Sequence, residues 1–387
     1  MNLEVKTRNE IGAEAWNGFV LASDEAWLWH CFDMAELRAA WPDMYDVSFG
    51  IIDRDHGGSL VAVVPCFVHT RHSMSSIGGP ALENRLGRKH RGSVYECIRE
   101  HLQALAGEKR ISTVMLSLSP LAPAHTGGNC PLVNPLLSLG CENALTQTLI
   151  VDVRKGRDAV WQNMEGRART AVRKAEKLGV RVREAGMDEA DTYYRLHCET
   201  YDRTGVPAHP EAFFRKMWEK FLSDGRCRVW FAEYGGRVVA AENFGIFKDR
   251  AVYWTGAASR QGLEVCANSF IQWQAIEWMM ESGIQWYETG EAFPGIREGK
   301  LKGLSDFKQS FGGALFPFYK GIMRIPREET RAELLKRSLA AWIRATRDLL
   351  VCGIGLGGDP GRKSSRREGN AGTSAPPMKV RASGEKR

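Results

Sequence analysis

The strongest constraint on the fold is a run of three strand-like segments in the second half of the chain. They are Arg228–Tyr234, Val238–Phe247 and Ala251–Thr255. A Gly-Gly pair separates the first two segments, and a Lys-Asp pair separates the last two. Apolar and β-branched segments joined by such short turns predict an antiparallel meander.

Helical segments flank this meander in the sequence. Periodic apolar residues predict helices at Trp161–Leu178 and, with a break at GVPAHP, over Asp188–Leu222, with a short strand between them. After the meander, Asn268 is expected to cap a further helix, and Ile284–Glu288 is expected to form the next strand. The second half therefore has the order strand, helices, meander, helix, strand.

The first half roughly repeats this order. Val47–Ile52 and Leu60–Val68 predict a hairpin, a helix is expected over Ser93–Leu105, and Thr113–Leu118 predicts a strand. A chain of 387 residues exceeds the roughly 250–300 at which single cores stop growing. We therefore expect a mixed α/β protein with one module over residues 1–150 and a second over residues 151–326.

The last sixty residues differ in composition from the rest. Residues 327–350 predict an amphipathic helix that packs on the body, with membrane or tRNA binding as alternatives. Residues 351–387 are rich in Gly, Ser, Pro and charge, and too poor in apolar groups to offset chain entropy. We expect a disordered basic tail there.

Charge and cysteine content narrow the partners and the compartment. A net charge of +7 favours anionic partners such as nucleic acid, nucleotide-linked substrates or acidic lipid surfaces. The nine cysteines include no C-x-x-C pair or zinc-ligand spacing, and the pair His69 and His72 lacks further nearby ligands. No metal and no cofactor is predicted. Without a signal peptide or a long apolar run, a cytoplasmic location is expected.

Three stretches of the second half share features with a known family. They are RARTAVRKAEKLGVRV (Arg167–Val182), the stretch Trp254–Gly290, and GLSDFKQSFGG (Gly303–Gly313). Together they resemble the FemABX peptidyltransferases and their wider FemAB-like relatives, over most of residues 150–320. The resemblance implies two GNAT-like modules, with N-acyl transfer to an amine in the second.

Members of that group add amino acids from aminoacyl-tRNA to the side chain of a nucleotide-linked peptidoglycan precursor, and others are associated with exopolysaccharide or protein export. The chain departs from them twice. It has no sustained heptads for the coiled-coil insertion of tRNA-using members. It also has Ser117 and Ser119 in LSLSP, where the family tends to have a charged residue and Asp-Pro. An aspartate base is therefore not available at that place.

Lys308, between Phe307 and Phe311, is the predicted catalytic residue together with Phe307. Acyl transfer to an amine needs positive charge or donors where the tetrahedral oxyanion forms. A lysine among aromatic rings can supply that charge, and the glycines after Phe311 would let backbone approach the ligand. The alternative is a surface lysine on a strand whose phenylalanines are in the core.

The predicted substrate-binding residues come from several elements: Arg169, Arg173, Tyr201, Tyr253, Asn268, Glu291 and Lys302. The two arginines are four apart on a helix and could bind a phosphate or carboxylate; a solvated helix face is the alternative. The tyrosines and the asparagine lie at element ends, where packing or capping is the alternative. The glutamate could take the amine's proton or anchor a lysine.

Three functions remain open on the sequence. The leading hypothesis is a FemAB-like N-acyltransferase acting on an amine of a cell-envelope precursor, with aminoacyl-tRNA as a possible donor. The alternative is a GNAT enzyme fed by acyl-CoA or acyl carrier protein, but its pyrophosphate loop would be ASRQGLEVCANS, where Glu264 repels phosphate. A basic nucleic-acid-binding protein without catalysis is the second alternative.

Overall fold

The computed structural model describes residues 2–69 and 73–325. These described residues belong to one compact unit. The predicted helix over 327–350, the predicted tail over 351–387 and His72 lie outside the described residues. Within the described part, no helix combines the length and the apolar character needed to cross a bilayer.

The first part of the chain is built mainly of short strands around one long helix. The strands are β1 (Leu3–Thr7), β2 (Met44–Asp46), β3 (Phe49–Asp53), β4 (Ser59–Val64), β5 (Phe67–His69), β6 (Ser73–Gly78), β7 (Ala81–Leu82), β8 (Thr113–Leu118) and β9 (Glu142–Asn143). The helices are α1 (Arg8–Ile11), α2 (Ala13–Ala22), α3 (Met34–Arg38) and α4 (Arg88–Glu108).

The second part alternates longer strands and helices. In chain order they are β10 (Thr146–Asp152), α5 (Arg157–Asn163), α6 (Gly166–Lys177), β11 (Arg181–Glu184), α7 (Ala190–Thr204), α8 (Glu211–Met217), β12 (Cys227–Tyr234), β13 (Arg237–Phe247), β14 (Arg250–Ala258), α9 (Arg260–Glu264), α10 (Ala267–Glu281), β15 (Trp286–Ala292), α11 (Gly299–Gln309), β16 (Ala314–Phe318) and β17 (Lys320–Arg324). A π-helical turn, Trp218–Leu222, continues α8.

The strands form three sheets whose orders are β1-β3-β4-β7, β2-β5-β6-β8-β17-β9 and β11-β12-β13-β14-β15-β10-β16. The last strand of the described chain, β17, returns to the first part and pairs antiparallel with β8. Strand β10, in turn, lies between β15 and β16 in the third sheet. The predicted module boundary at residue 150 therefore falls inside a strand, and the module limits stay a prediction.

The third sheet carries helices on both faces. Alternate residues of a strand point to opposite faces, and β12 shows this directly. Val229 and Phe231 belong to the core cluster that contains residues of α7 and α8, whereas Trp230 and Ala232 belong to the cluster that contains residues of α6 and α10. The predicted mixed α/β class is confirmed, and so is the meander, which is β12, β13 and β14.

Two local predictions are wrong. The single helix expected over Trp161–Leu178 is two helices, α5 and α6, because Met164 is extended (φ −64°, ψ 146°) and breaks the helical path. Asn268 does not cap α10. Cys266 holds that position in a left-handed conformation (φ 59°), and Asn268 lies inside the helix.

Two strands diverge at the centre of the third sheet. Strands β14 and β15 pair in parallel only where Arg250–Val252 meets Trp286–Glu288. Beyond that point β14 continues to Ala258 and β15 to Ala292 without pairing with each other, although β14 stays paired with β13 and β15 with β10. We call the point at Val252 and Glu288, where the two strands separate, the fork.

Candidate active site

A cleft of about 290 Å³ opens beside the part of β14 that lies beyond Val252 and does not pair with β15. Its walls come from α7, β14, the α9–α10 segment and α11: Thr200, Arg203, Tyr253, Gly256, Ala257, Ala258, Gly262, Leu263, Cys266, Asn268, Ser269 and Phe307. The β14 residues Gly256, Ala257 and Ala258 are small, so a ligand can approach the backbone closely. A Cβ on Gly256 would come within 2.1 Å of the Tyr253 hydroxyl, so a larger residue here would displace the Tyr253 side chain.

A buried carboxyl group lies behind the cleft wall. Glu242 on β13 is 0% exposed. Its Oε1 accepts a hydrogen bond from Asn268 Nδ2 (2.8 Å), and its Oε2 accepts one from Gln272 Nε2 (2.7 Å). Burial raises the pKa of Glu242 to about 8, against the opposing effect of hydrogen bonds from Asn268, Gln272 and Tyr253. Two of these partners, Tyr253 and Asn268, line the cleft.

A second buried carboxyl group lies at the fork itself. Glu288 is 5% exposed and accepts a hydrogen bond from Thr148 Oγ1 on β10 (2.6 Å). Burial raises the pKa of Glu288 to about 7, against the effects of that hydrogen bond and of the nearby Lys308 charge. The fork therefore has a carboxyl group that changes its charge near neutral pH.

Lys308 lies against β15. Its Nζ donates to the backbone oxygen of Glu291 (3.3 Å), and it passes over Gly290. Burial lowers the pKa of Lys308, while the charges of Glu288 and Glu291 raise it. Lys308 lies in α11, whereas the alternative interpretation of the sequence placed it on a strand. It does not line the cleft, although the preceding residue, Phe307, does.

Three of the predicted site residues meet at the cleft: Phe307, Tyr253 and Asn268. The rings of Phe307 and Tyr253 lie 6.5 Å apart, and Phe311 contacts Phe307 edge to face at 5.0 Å. The aromatic residues beside Lys308 therefore form part of the cleft wall and of the core behind it.

The two predicted arginines have other contacts. Arg169 Nη1 donates to the backbone oxygens of Trp161 (3.3 Å), Gln162 (2.9 Å) and Met164, which end α5. Arg173 lies 5.3 Å from the ring centre of Trp161. Neither arginine lines the cleft.

The remaining predicted residues also lie outside the cleft wall. Tyr201 packs on the His197 ring at 4.0 Å, although its neighbour Thr200 lines the cleft. The Glu291 carboxylate accepts a hydrogen bond from Lys320 Nζ (2.6 Å), so it anchors a lysine, as its alternative reading proposed. Lys302 pairs with Asp306 one turn further along α11.

Sequence reasoning missed Glu242 and the cleft residues of α7. The signal for Glu242 was present, since VVAAENFGIF places an acid, followed by one asparagine, inside an otherwise apolar strand. A charged residue in such a strand needs partners within the protein. Thr200 and Arg203 offered no comparable signal, because only the packing of α7 on β14 brings them to the cleft.

A second pocket, of about 160 Å³, is lined by Trp29, Met34, Arg38, Phe67, Ile77, Phe213 and Trp254. Burial lowers the pKa of Arg38 to about 10. Its guanidinium lies 5.9 Å from the ring centre of Phe67, and no residue in the described ranges forms an ion pair with it. A largely buried cation without a counter-charge favours an anionic ligand.

Comparison with known proteins identifies the second part of the chain. The family described as "Acetyltransferase (GNAT) domain" matches residues 162–309. This segment is a GNAT domain. It runs from the end of α5 to the end of α11 and so contains all the residues that line the cleft, the fork residue Glu288 and Lys308. The chain therefore contains a GNAT acyltransferase domain, and a purely nucleic-acid-binding role is not supported.

Solved structures share the fold over most of the chain. FemX is 14% identical, with a TM-score of 0.60 over 82% of this chain and 97% of that one. The C-terminal domain of a putative lysylphosphatidylglycerol synthetase from Agrobacterium fabrum is 14% identical, with a TM-score of 0.52 over 82% and 92%. A tandem GNAT protein from the clavulanic acid biosynthesis pathway is 12% identical, with a TM-score of 0.53 over 84% and 100%.

These likenesses confirm the FemAB-like, tandem GNAT architecture that the sequence resemblance implied. At 12–14% identity they establish the fold. No curated protein matches the sequence significantly.

Proposed function

We propose that this GNAT domain transfers an aminoacyl or related acyl group to an amine of a cell-envelope precursor, of peptidoglycan or exopolysaccharide type. The observation that carries the proposal is the fork, where β14 and β15 separate next to the buried Glu288 and where the cleft opens along the part of β14 beyond Val252. Past Val252, the edge of β14 that faces β15 has no strand partner among the described residues. An extended acyl donor with amide groups can bind such an edge as an added strand.

Acyl transfer at the fork requires an attacking amine, a group that accepts the proton of that amine, and a positive charge that stabilises the oxyanion. The amine nitrogen attacks the acyl carbonyl carbon, the C–N bond forms, and the bond to the donor oxygen breaks as that oxygen takes up a proton. The amine must lose a proton, and the Glu288 carboxylate, with its pKa of about 7, can accept it near neutral pH. Lys308, held against β15, would stabilise the oxyanion.

The segment ASRQGLEVCANS, which would be the pyrophosphate loop of a CoA enzyme, favours an aminoacyl ester over CoA. The backbone N–H of Gly262, in the segment where CoA enzymes bind pyrophosphate, already donates to Ser259 Oγ (3.1 Å). Two residues later Glu264 adds an exposed negative charge. The exposed Arg203 at the cleft provides a cation that suits a tRNA phosphate. The name lysylphosphatidylglycerol synthetase, which describes an aminoacylated lipid, supports the same class of donor.

The acceptor is expected to carry an anionic group. The Arg38 pocket contains Trp254, whose neighbour Tyr253 lines the cleft, yet the two side chains pack on different core clusters. Donor and acceptor could therefore approach the fork from opposite faces of the sheet. A nucleotide-linked precursor supplies a phosphate for Arg38 and an amine for the fork.

An acyl-CoA or acyl carrier protein donor is the second candidate, because the tandem GNAT neighbour is described in relation to AcCoA. To separate the two, purified protein is incubated with nucleotide-linked precursors and either charged tRNA or acyl-CoA, and products are measured by mass spectrometry. We expect the mass of one aminoacyl residue to be added with charged tRNA alone. A gain with acyl-CoA alone would favour the second candidate, and no gain with either donor would contradict both.

A further inference from the structure

Three side chains with metal-binding groups meet in the first part of the chain, apart from the residues that line the cleft. Asp53, His56 and His90 each point one ligand atom to the same place, and these three atoms lie within 4.8 Å of one another. Asp53 Oδ2 is 2.7 Å from His56 Nδ1 and 2.9 Å from His90 Nε2. Two imidazole nitrogens therefore converge on one carboxylate oxygen.

The contact between His90 and Asp53 is not a hydrogen bond. Although their atoms are close, His90 Nε2 is buried and lacks a hydrogen-bond partner among the described residues. In a hydrogen bond the N–H points at the acceptor. The His90 nitrogen is therefore close to the carboxylate and still able to bind a third atom, whereas His56 Nδ1 forms a hydrogen bond with the same oxygen (2.7 Å) that a bound ion would replace.

The surroundings hold the carboxylate in place. Asp53 is 0% exposed and ends β3, which is paired on both sides, with β1 and with β4. Its second oxygen, Oδ1, accepts from the backbone N–H of Asp55 (3.0 Å), which turns Oδ2 toward the two histidines. Such outer contacts orient metal ligands in known sites.

We propose that Asp53, His56 and His90 bind a divalent transition-metal ion, Zn²⁺ by preference, with water as the fourth ligand. Two imidazoles and one carboxylate suit Zn²⁺, whereas Mg²⁺ and Ca²⁺ require mostly oxygen ligands. Both histidines bind as neutral rings, each with its proton on the nitrogen away from the metal. The ions that fit the same site less well, Co²⁺ and Ni²⁺, are useful probes.

The ion would join two elements that are distant in sequence. His56 lies in the turn between β3 and β4, and His90 lies in the first turns of α4. The positions 53, 56 and 90 do not follow zinc-finger spacing, so no metal site was predicted from the sequence. We expect the ion to stabilise this end of the first part without entering acyl transfer.

The test uses the untagged full-length protein, stripped with EDTA and dialysed. Zn²⁺ is titrated by calorimetry, and bound metal is counted by mass spectrometry after desalting. We expect about one ion per chain and a rise in melting temperature that chelator reverses. The absence of bound zinc in the wild-type protein would overturn the proposal.

Three variants locate the ion. His56 is 65% exposed, so His56→Ala should fold normally and still lose affinity by more than about tenfold. His90→Ala should do the same, and the visible spectrum of Co²⁺-loaded wild-type protein should disappear in both. His101→Ala on the same helix, where His101 contacts Phe49 instead, is the control and should keep the ion. Retention of zinc by the His56 and His90 variants would contradict the assignment.

Discussion

The ammonium of Lys308 occupies the space that a side chain on residue 290 would need. A Cβ on Gly290 would lie 2.7 Å from Lys308 Nζ and 3.1 Å from its Cε. The same glycine has a φ of 110°, a conformation that other residues rarely adopt. Glycine at this place therefore permits Lys308 to lie flat on β15, beside Glu288 and next to the fork.

Gly290→Ala should displace Lys308 and reduce turnover by about 10- to 100-fold, because small misplacements of a catalytic group have large effects. Backbone strain should also lower the free energy of unfolding by about 1–3 kcal/mol. Gly295→Ala is the control, since a Cβ there meets nothing within 4 Å. Both are measured by steady-state kinetics and urea unfolding. Equal turnover in the two variants would show that the Lys308 position is unimportant.

Glu242→Gln should flatten the dependence of stability on pH. The pKa of Glu242 is raised in the folded protein to about 8, so between about pH 4.5 and 8 the folded state binds more protons than the unfolded state. The stabilisation that protonated Glu242 gives the wild-type protein is therefore fully present below about pH 4.5 and is lost as the pH rises to about 8. Urea unfolding at several pH values measures the slope.

The buried Glu288 makes stability depend on pH in the same direction, because its pKa is also raised. This contribution is present in both the wild type and Glu242→Gln, so it cancels when the two slopes are subtracted. Glu264→Gln, an exposed glutamate, serves as the control and should leave the slope unchanged. A Glu242→Gln variant with the wild-type slope would mean that Glu242 is ionised throughout this pH range.

Arg169→Ala should destabilise the protein without weakening substrate binding. The variant removes a charged donor from the carbonyl groups that end α5, at a cost of about 1.5–3 kcal/mol. Chemical unfolding and KM measurements separate the two effects. Arg173→Ala, one turn further along α6, is the matched variant, because Arg173 lies over the Trp161 ring and donates no hydrogen bond to a carbonyl group of the described residues. A raised KM at unchanged stability would instead support the anion-binding role that the sequence predicted for Arg169.

Arg38→Met should raise the KM for a phosphate-bearing acceptor by about tenfold or more, since a charge-assisted hydrogen bond contributes about 1.5–3 kcal/mol. The free protein should become no less stable, because Arg38 has no acidic partner in the described chain. Arg324→Met, which removes an exposed pair with Glu142, is the control. An unchanged acceptor KM in Arg38→Met would place the acceptor elsewhere.

Local sequence patterns predicted the parts of the fold that depend on near neighbours. The meander, with its turns at Gly235-Gly236 and at Lys248-Asp249, was predicted because strand alternation and turn residues lie within a few positions of each other. The pairing of Ile322 on β17 with Met115 on β8 was not predicted, because nothing in the sequence near either strand indicates a partner so distant along the chain.

The candidate site was predicted unevenly for a similar reason. Residue type and position identified Phe307, Tyr253 and Asn268, which meet at the cleft. A basic helix face could not show that Arg169 turns back on the end of the preceding helix, because the helical spacing of apolar residues in the sequence continues across the break at Met164.

The most direct test of acyl transfer at the fork is the turnover of Lys308→Met compared with Lys302→Met. Both lysines lie on α11, but Lys302 pairs with Asp306 in a more exposed position, whereas Lys308 lies against β15 beside Glu288. With melting temperature as the check on folding, we expect kcat to fall by about 10²–10³ in Lys308→Met, the range for loss of an oxyanion donor, and to stay near wild type in Lys302→Met. Wild-type kcat in Lys308→Met would contradict the proposed catalytic role of this lysine.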